Sequence, residues 1–359
     1  MQLPVNIAIS GGLPQSGVPA FRLIDDELRQ VKELIDEQLA GVPAKRGPSS
    51  SSVGRLFRRI NIHGGKMLRP GLVLLSYRVV RDASCEKKTQ YDIRNTQYEA
   101  IRVAAIVEII HNATLLHDDV IDEGQKRRGG PTINSLCGNE SAVLLGDFLL
   151  SRAFKMCTDL QPQVTKIIAS AAGRTCEGEL RQITQRRNWQ LDESEYIDII
   201  TEKSAALFSG ACLLGGLLAC GSEVQVRSLS DFGLNTGIAF QITDDLLDVI
   251  GDEGETGKTL GSDVDKNKLT LATIHLLRTV DESGKDAVIN VVCDKGAPAE
   301  MLRRYGSLEY AHIRAQEFVS KAIGSLAGLR ESEAKNALIE TARFVGETEN
   351  RGQRTESDI

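Results

Sequence analysis

Two clusters of aspartates, each spaced i, i+1, i+4, carry the chemistry open to this chain. The first is Asp118, Asp119 and Asp122 in HNATLLHDDVIDEGQKRRGGPT (His111–Thr132); the second is Asp244, Asp245 and Asp248 in FQITDDLLD (Phe240–Asp248). On a helix, the outer two aspartates of each set project from one face about 6 Å apart along the axis, with the middle one roughly 100° round. Like charges so placed repel. A solvated helix end tolerates them, but the second set stands among Ile242, Leu246, Leu247 and Val249, where an uncompensated carboxylate is costly. Two matching sets therefore read as the walls of a metal cage with Asp118, Asp122, Asp244 and Asp248 as ligands. Hard Mg²⁺ is the ion that carboxylate, water and phosphate oxygens hold best.

Basic residues at four further places suit anions held at such a cage. Arg127 and Arg128 follow the first cluster, and a guanidinium offers a planar fork of donors to a phosphate on the same metal. In HGGKMLRP (His63–Pro70), glycines let the backbone approach an anion, and Lys66 and Arg69 fall on one side of a helix start. The plain alternative there is a glycine-broken junction with surface bases. Lys203 is one of few charges beside the apolar run Ala205–Gly221, and Lys258 lies in a loop rich in Gly, Asp and Lys, where it either closes over an anion or stays solvated. His111 precedes Asp118 by two turns on the same face; a lone histidine on an apolar face is otherwise a core residue. His117 is read as structural.

Helices must position these groups. Phe21, Ile24, Leu28, Val31, Leu34, Ile35 and Leu39 recur at helical spacing, and GVPAKRGPSSSS (Gly41–Ser52) breaks the pattern before a short helix, Val53–Ile62. Residues 81–98 are polar and read as irregular. A long helix from Glu99 to about Glu123 is apolar nearly all round and therefore central. Helical patterns return at Ser141–Leu160, Val164–Ile183, through DESEYIDIITEKSAALFSG, from Val224 to Gly251, and over 286–347. With no solenoid repeat and no strand alternation, the chain is expected to be all-α. A single domain is expected over 20–348, with a loose arm at 1–19 and a polar tail at 349–359.

A net charge of −6 and a pI near 5.6 argue against a nucleic-acid partner. Seven scattered cysteines read as reduced and mostly buried, as in the cytoplasm. Residues 1–21 hold no Lys or Arg, against a secretory or transit leader. The Gly-rich run Ala205–Gly221 falls short of the roughly 20 residues of a membrane span, so any membrane contact is expected to be peripheral.

GGKMLRP (Gly64–Pro70), the first aspartate segment, Gly146-Asp147, EKSA (Glu202–Ala205), FQITDDLLD and GKTLGSD (Gly257–Asp263) stand in this order over about residues 20 to 345. Together they resemble the trans-isoprenyl diphosphate synthases, most of all the long-chain polyprenyl type. The resemblance implies a homodimeric helical bundle around a central cavity, with on the order of three Mg²⁺ ions per site. It implies an allylic diphosphate held through the ions, with Asp118, Asp119, Asp122, Lys203, Asp244 and Asp245 as catalytic residues. Arg127, Ser204, Gln241 and Lys258 are then substrate contacts, and Lys66, Arg69, His111 and Arg128 hold isopentenyl diphosphate. Loss of the leaving group gives an allylic cation, the isopentenyl double bond attacks it, and released diphosphate takes the proton. Three departures stand out: Met67 replaces a basic residue, Lys203-Ser204 replaces Lys-Thr, and Asn267–Ala272 lacks both prolines of Gly-Lys-Pro-Thr-Leu-Pro. CEGELRQ (Cys176–Gln182) resembles a family segment of unassigned role.

Rival readings are a class I terpene cyclase, a non-catalytic partner subunit, a shorter-chain synthase and a helical scaffold. Intact triads and the GGKMLRP segment oppose the first two. For chain length, Ala113 and Thr114 replace the bulky residue that blocks short-chain relatives, and Ile110, Ile109, Ile106, Ala105 and Arg102 lie deeper. Phe154 or Met156 from a neighbouring helix could supply the floor. At one isoprene unit per helical turn, a product of roughly six to ten units is expected, centred on eight to nine.

Overall fold

The computed structural model describes residues 17–40, 65–84, 90–251, 268–293 and 298–347. Most of the N-terminal arm, the loop Gly41–Ser52, the helix Val53–Ile62, Gly64, Gly257–Asp263 with Lys258, Asn267 and the C-terminal tail lie outside these residues.

A 3₁₀ turn (Pro19–Ile24) leads into α1 (Asp25–Ala40), followed by α2 (Leu68–Ser84) and α3 (Gln90–Ile121). A two-stranded hairpin, β1 (Lys126–Arg127) and β2 (Gly130–Pro131), precedes α4 (Ile133–Cys137), α5 (Asn139–Cys157) and α6 (Pro162–Thr184). Then come α7 (Glu193–Ile200), a π turn (Thr201–Ala205), α8 (Ala206–Leu218) and α9 (Glu223–Ile250). The chain ends through α10 (Leu271–Thr279), α11 (Glu282–Cys293), α12 (Pro298–Arg304), α13 (Ser307–Ser325) and α14 (Glu333–Gly346).

α9 packs between α8 and α13, α2 lies on α8, and α3 lies on α5 and α2. Ala206–Cys212 of α8 are all buried, as expected of a helix apolar on every side. Glu27 joins three helices: its carboxylate accepts from Arg78 at 2.5 Å and from Gln97 at 3.3 Å. Side-chain caps start several of the helices. Ser222 and Gln225 form a reciprocal capping box that starts α9, and Asp192 and Thr270 cap α7 and α10.

The helix expected from Glu99 begins at Gln90, because polarity alone does not end a helix and no breaker stands between 90 and 99. This helix, not the run after Ala205, is long and apolar enough to span a bilayer, but 72% of its most apolar window is buried within the protein. Cys157 and Cys212 are buried as expected, whereas Cys176 and Cys220 are exposed. Among the described residues the one departure from all-helix, the hairpin, forms where RRGG supplies a turn rather than a strand pattern.

Candidate active site

The first triad ends α3. Glu123 closes the helix at φ 50°, Gly124 N–H returns to the Asp119 carbonyl at 2.9 Å, and Asn134 and Thr132 side chains hold the same turn. Each aspartate meets cations. Arg127 Nε donates to Asp119 Oδ1 at 2.8 Å, while Arg186 and Lys268 donate to the two oxygens of Asp122 at 3.0 and 2.7 Å. Burial pushes the Asp118 carboxyl up to about 6; Lys203 and Arg127 oppose the shift, and Glu179 and Asp122 add to it. Burial also raises Asp119 against the pull of Arg127.

Lys203 comes from the π turn, a local widening of the helix that recurs at functional sites. Its ammonium contacts Glu179 Oε2 at 2.5 Å and donates to Gln182 Oε1 at 2.7 Å. Burial would neutralise it, but Glu179 and Asp118 more than compensate and hold it charged. The turn fits because α6 carries Gly178 there: a Cβ on that residue would stand 2.1 Å from the backbone nitrogen of Lys203. CEGELRQ thus has a physical role, with Gly178 admitting the turn and Glu179 and Gln182 orienting its lysine.

The next residue of the turn faces the second cluster. Ser204 Oγ donates to Gln241 Oε1 at 2.5 Å, Gln241 Nε2 donates to Asp245 Oδ1 at 2.7 Å, and Tyr196 O–H donates to Asp245 Oδ2 at 2.6 Å. Asp248 is 3% exposed on the same helix. Lys203 therefore serves the first triad and Ser204 the helix of the second.

A third group of bases gathers around α3 one to three turns before Asp118. Arg69 is 8% exposed, with its guanidinium 4.5 Å from the Phe208 ring centroid. Burial lowers it to about 10, with Glu108 opposing. Arg128 reaches the same place from the hairpin. Arg127 pairs with Gly130, leaving Arg128 and Gly129 at φ 51° and 73° as a two-residue turn of type I′. A left-handed arginine is unfavourable by itself. Its fork donates to Asn112 Oδ1 at 3.0 Å and passes over Gly65, where a Cβ would meet Nη2 at 2.8 Å. Asn112 in turn donates to Glu108 at 3.2 Å. His111 beside these arginines is held well below the usual histidine range by burial and then by Arg69 and Arg128. It is neutral at pH 7.

His117 contacts the Val143 carbonyl at 3.2 Å and Asp147 at 3.5 Å, and lies against Gly146, where a Cβ would be 2.2 Å from its Nε2. Gly146-Asp147 thus braces α3 on α5, in keeping with a structural His117. At ~100° per residue, Thr114 lies about 40° and Ala113 about 140° from Asp118. Thr114 keeps some exposure; Ala113 and Ile110 are buried at 0% and 2%. Phe154 is 63% exposed, so within this chain it cannot floor a tunnel; Met156, two residues on and across the helix, is 3% exposed. Arg102 is engaged outside by Asp159 at 2.6 Å.

Among the described residues no three Asp, Glu, His or Cys side chains already stand together as ligands. The donor chemistry nonetheless fits a hard divalent ion: an all-oxygen set whose Asp118 and Asp119 are raised by burial despite neighbouring cations. Glu108, Asn112, Glu179, Gln182, Arg186, Tyr196 and Lys268 were not singled out from the sequence. Only Lys268, in the segment that lacks the prolines, and Glu179 and Gln182, in CEGELRQ, carried a signal.

Residues 52–305 match the family described as Polyprenyl synthetase. The octaprenyl diphosphate synthase of Escherichia coli is 33% identical over 338 residues, covering 89% of this chain and 98% of that protein. A short chain isoprenyl diphosphate synthase of Methanothermobacter thermautotrophicus is also 33% identical, over 90% of this chain and 98% of its own length. Two solved structures are similar. One is a decaprenyl diphosphate synthase from Rhodobacter capsulatus, with TM-score 0.77, 34% identity and coverage of 91% of this chain and 97% of the other. The second is a polyprenyl synthase from Caulobacter crescentus CB15 complexed with calcium and isoprenyl diphosphate, with TM-score 0.81, 28% identity and coverage of 95% and 99%.

Proposed function

The chain belongs to the polyprenyl synthetase family of prenyltransferases, and we propose that it condenses isopentenyl diphosphate head-to-tail with an allylic diphosphate into a long-chain all-trans product. The observation that carries this reading is the π turn, whose Lys203 contacts the first-triad environment while Ser204 is joined through Gln241 to the second.

Asp118, Asp122, Asp244 and Asp248 are assigned to divalent ions, of which Mg²⁺ is the natural one. When bound, the ions neutralise the leaving diphosphate so that the allylic C–O bond can break. Arg127, Lys203, Lys258 and Lys268 add donors to that diphosphate. Asp119 and Asp245 orient: one holds Arg127, the other accepts from Tyr196 and Gln241. Lys66, Arg69 and Arg128 bind the diphosphate of isopentenyl diphosphate, with neutral His111 alongside as a hydrogen-bonding rather than charged group. Charge-assisted, forked contacts suit that task.

Small side chains at 113 and 114 support a product of roughly six to ten units, reckoned at one unit per turn. A second reading, a shorter-chain synthase, is favoured by the Methanothermobacter relative. A homodimer is supported by the exposed apolar residues Leu136, Val143, Leu144 and Phe154 on α4 and α5. Incubation of the purified protein with Mg²⁺, isopentenyl diphosphate and, in turn, geranyl and farnesyl diphosphate, followed by separation of products by length, tests the proposal. Products of three or four units support the shorter reading, and no product at all removes the enzymatic one.

A further inference from the structure

The last long helix meets the segment that opens α2. Lys66 Nζ stands 4.9 Å from the centroid of the Phe344 ring, within the range at which an ammonium is attracted by the negative face of an aromatic ring. Both residues are half-buried, so the contact is only partly screened by water. We infer that Phe344 is a positioning residue for substrate binding, holding the Lys66 ammonium where it meets the diphosphate of isopentenyl diphosphate. This rests on the assignment of Lys66 to that diphosphate.

Both sides of the contact are fixed by their surroundings. Lys66 is followed by Met67, which is 1% exposed and left-handed at φ 52°. A left-handed methionine persists only where packing holds it, so the backbone that carries Lys66 is set by a buried anchor. Phe344 lies two residues before the end of α14, a place where helices ordinarily fray. Here the end is pinned. Gln316 Nε2 donates to the Gly346 carbonyl at 2.8 Å, and Gly346 sits so close to α13 that a Cβ would stand 2.6 Å from Val319.

The ring has a definite job in this arrangement. A lysine side chain has many rotamers, and restricting them costs binding free energy when the ligand arrives. A fixed aromatic face narrows them beforehand and leaves the ammonium its charge. Loss of the ring should therefore weaken one substrate and leave the chemical step alone.

The test uses the full chain and four variants: Phe344→Leu, Phe344→Tyr, Lys66→Ala and the double Lys66→Ala/Phe344→Leu, with thermal melts to confirm folding. Phe344→Leu is expected to raise KM for isopentenyl diphosphate about three- to tenfold, with kcat and KM for the allylic diphosphate unchanged. Phe344→Tyr should keep the wild-type values. In the Lys66→Ala background, Phe344→Leu should add nothing. An unchanged KM in Phe344→Leu, or an effect that persists in full without Lys66, overturns the inference. Should Lys66→Ala itself leave KM for isopentenyl diphosphate unchanged, the assignment of Lys66 falls and the role of Phe344 falls with it.

Discussion

Lys268 Nζ lies 2.7 Å from Asp122 Oδ2 although 146 residues separate them, and Arg186 holds the other oxygen at 3.0 Å. One carboxylate thus collects cations from two distant elements, which fits a place built for concentrated negative charge. Lys268→Met should raise KM for the allylic diphosphate by about tenfold, the loss of one charge-assisted contact. KM for isopentenyl diphosphate should stay unchanged. Equal changes in both constants would place Lys268 elsewhere.

Metal dependence is expected from both aspartate sets. Asp118→Ala and Asp244→Ala should each lower turnover by about three orders of magnitude or more, with circular dichroism unchanged. Chelation of wild type should abolish turnover, and Mg²⁺ should restore it. Full activity in either variant would remove that aspartate from the ligand set.

Gly178→Ala pits two effects against each other. In an ordinary helix the change stabilises by about 1 kcal/mol. Here the new methyl would stand 2.1 Å from backbone that cannot turn aside, and overpacking of this kind costs about 1–3 kcal/mol. The second effect should win. A lower melting temperature with turnover reduced more than in a surface Gly173→Ala control is expected, because Lys203 moves with the displaced turn.

The state of His111 gives a pH dependence with a definite sign. Its folded pKa is well below the ordinary 6.5, so the unfolded chain takes up a proton first on acidification. The stability it contributes is present above pH 6.5 and is lost as pH falls below it, by at most about 1.4 kcal/mol per unit. In chelator, urea melts from pH 7 to 5 should show a steeper loss for wild type than for His111→Gln. Parallel curves would contradict a neutral His111.

Chain length should respond to a ring placed before Asp118. Thr114 shares the Asp118 face and keeps some exposure, whereas Ala113 is fully buried. Thr114→Phe should therefore shorten products towards three or four units with little loss of stability. Ala113→Phe should shorten them too if the growing chain passes on the α5 side, at a cost of about 1–3 kcal/mol from overpacking. Products of unchanged length in both variants would refute this account of the limit.

Composition and periodicity alone led to the expectation of an all-α chain, and two matched aspartate spacings marked the candidate site for its chemistry. Those are local properties. The period of an apolar stripe and the spacing of carboxylates on one helix need only the rise and turn of that helix. The partners of those carboxylates are different in kind. That Lys268 and Arg186 share Asp122, that Glu179 holds Lys203, and that Tyr196 braces Asp245 depend on contacts between elements far apart in sequence, which no window of residues contains. Some local features also escaped because tertiary contact overrode propensity. Arg128 and Met67 adopt left-handed backbone that their side chains disfavour, and the π turn at Lys203 interrupts a sequence that reads as plain helix. Packing against Gly178 and the contacts of Arg128 with Asn112 and Gly65 supply what the local sequence does not.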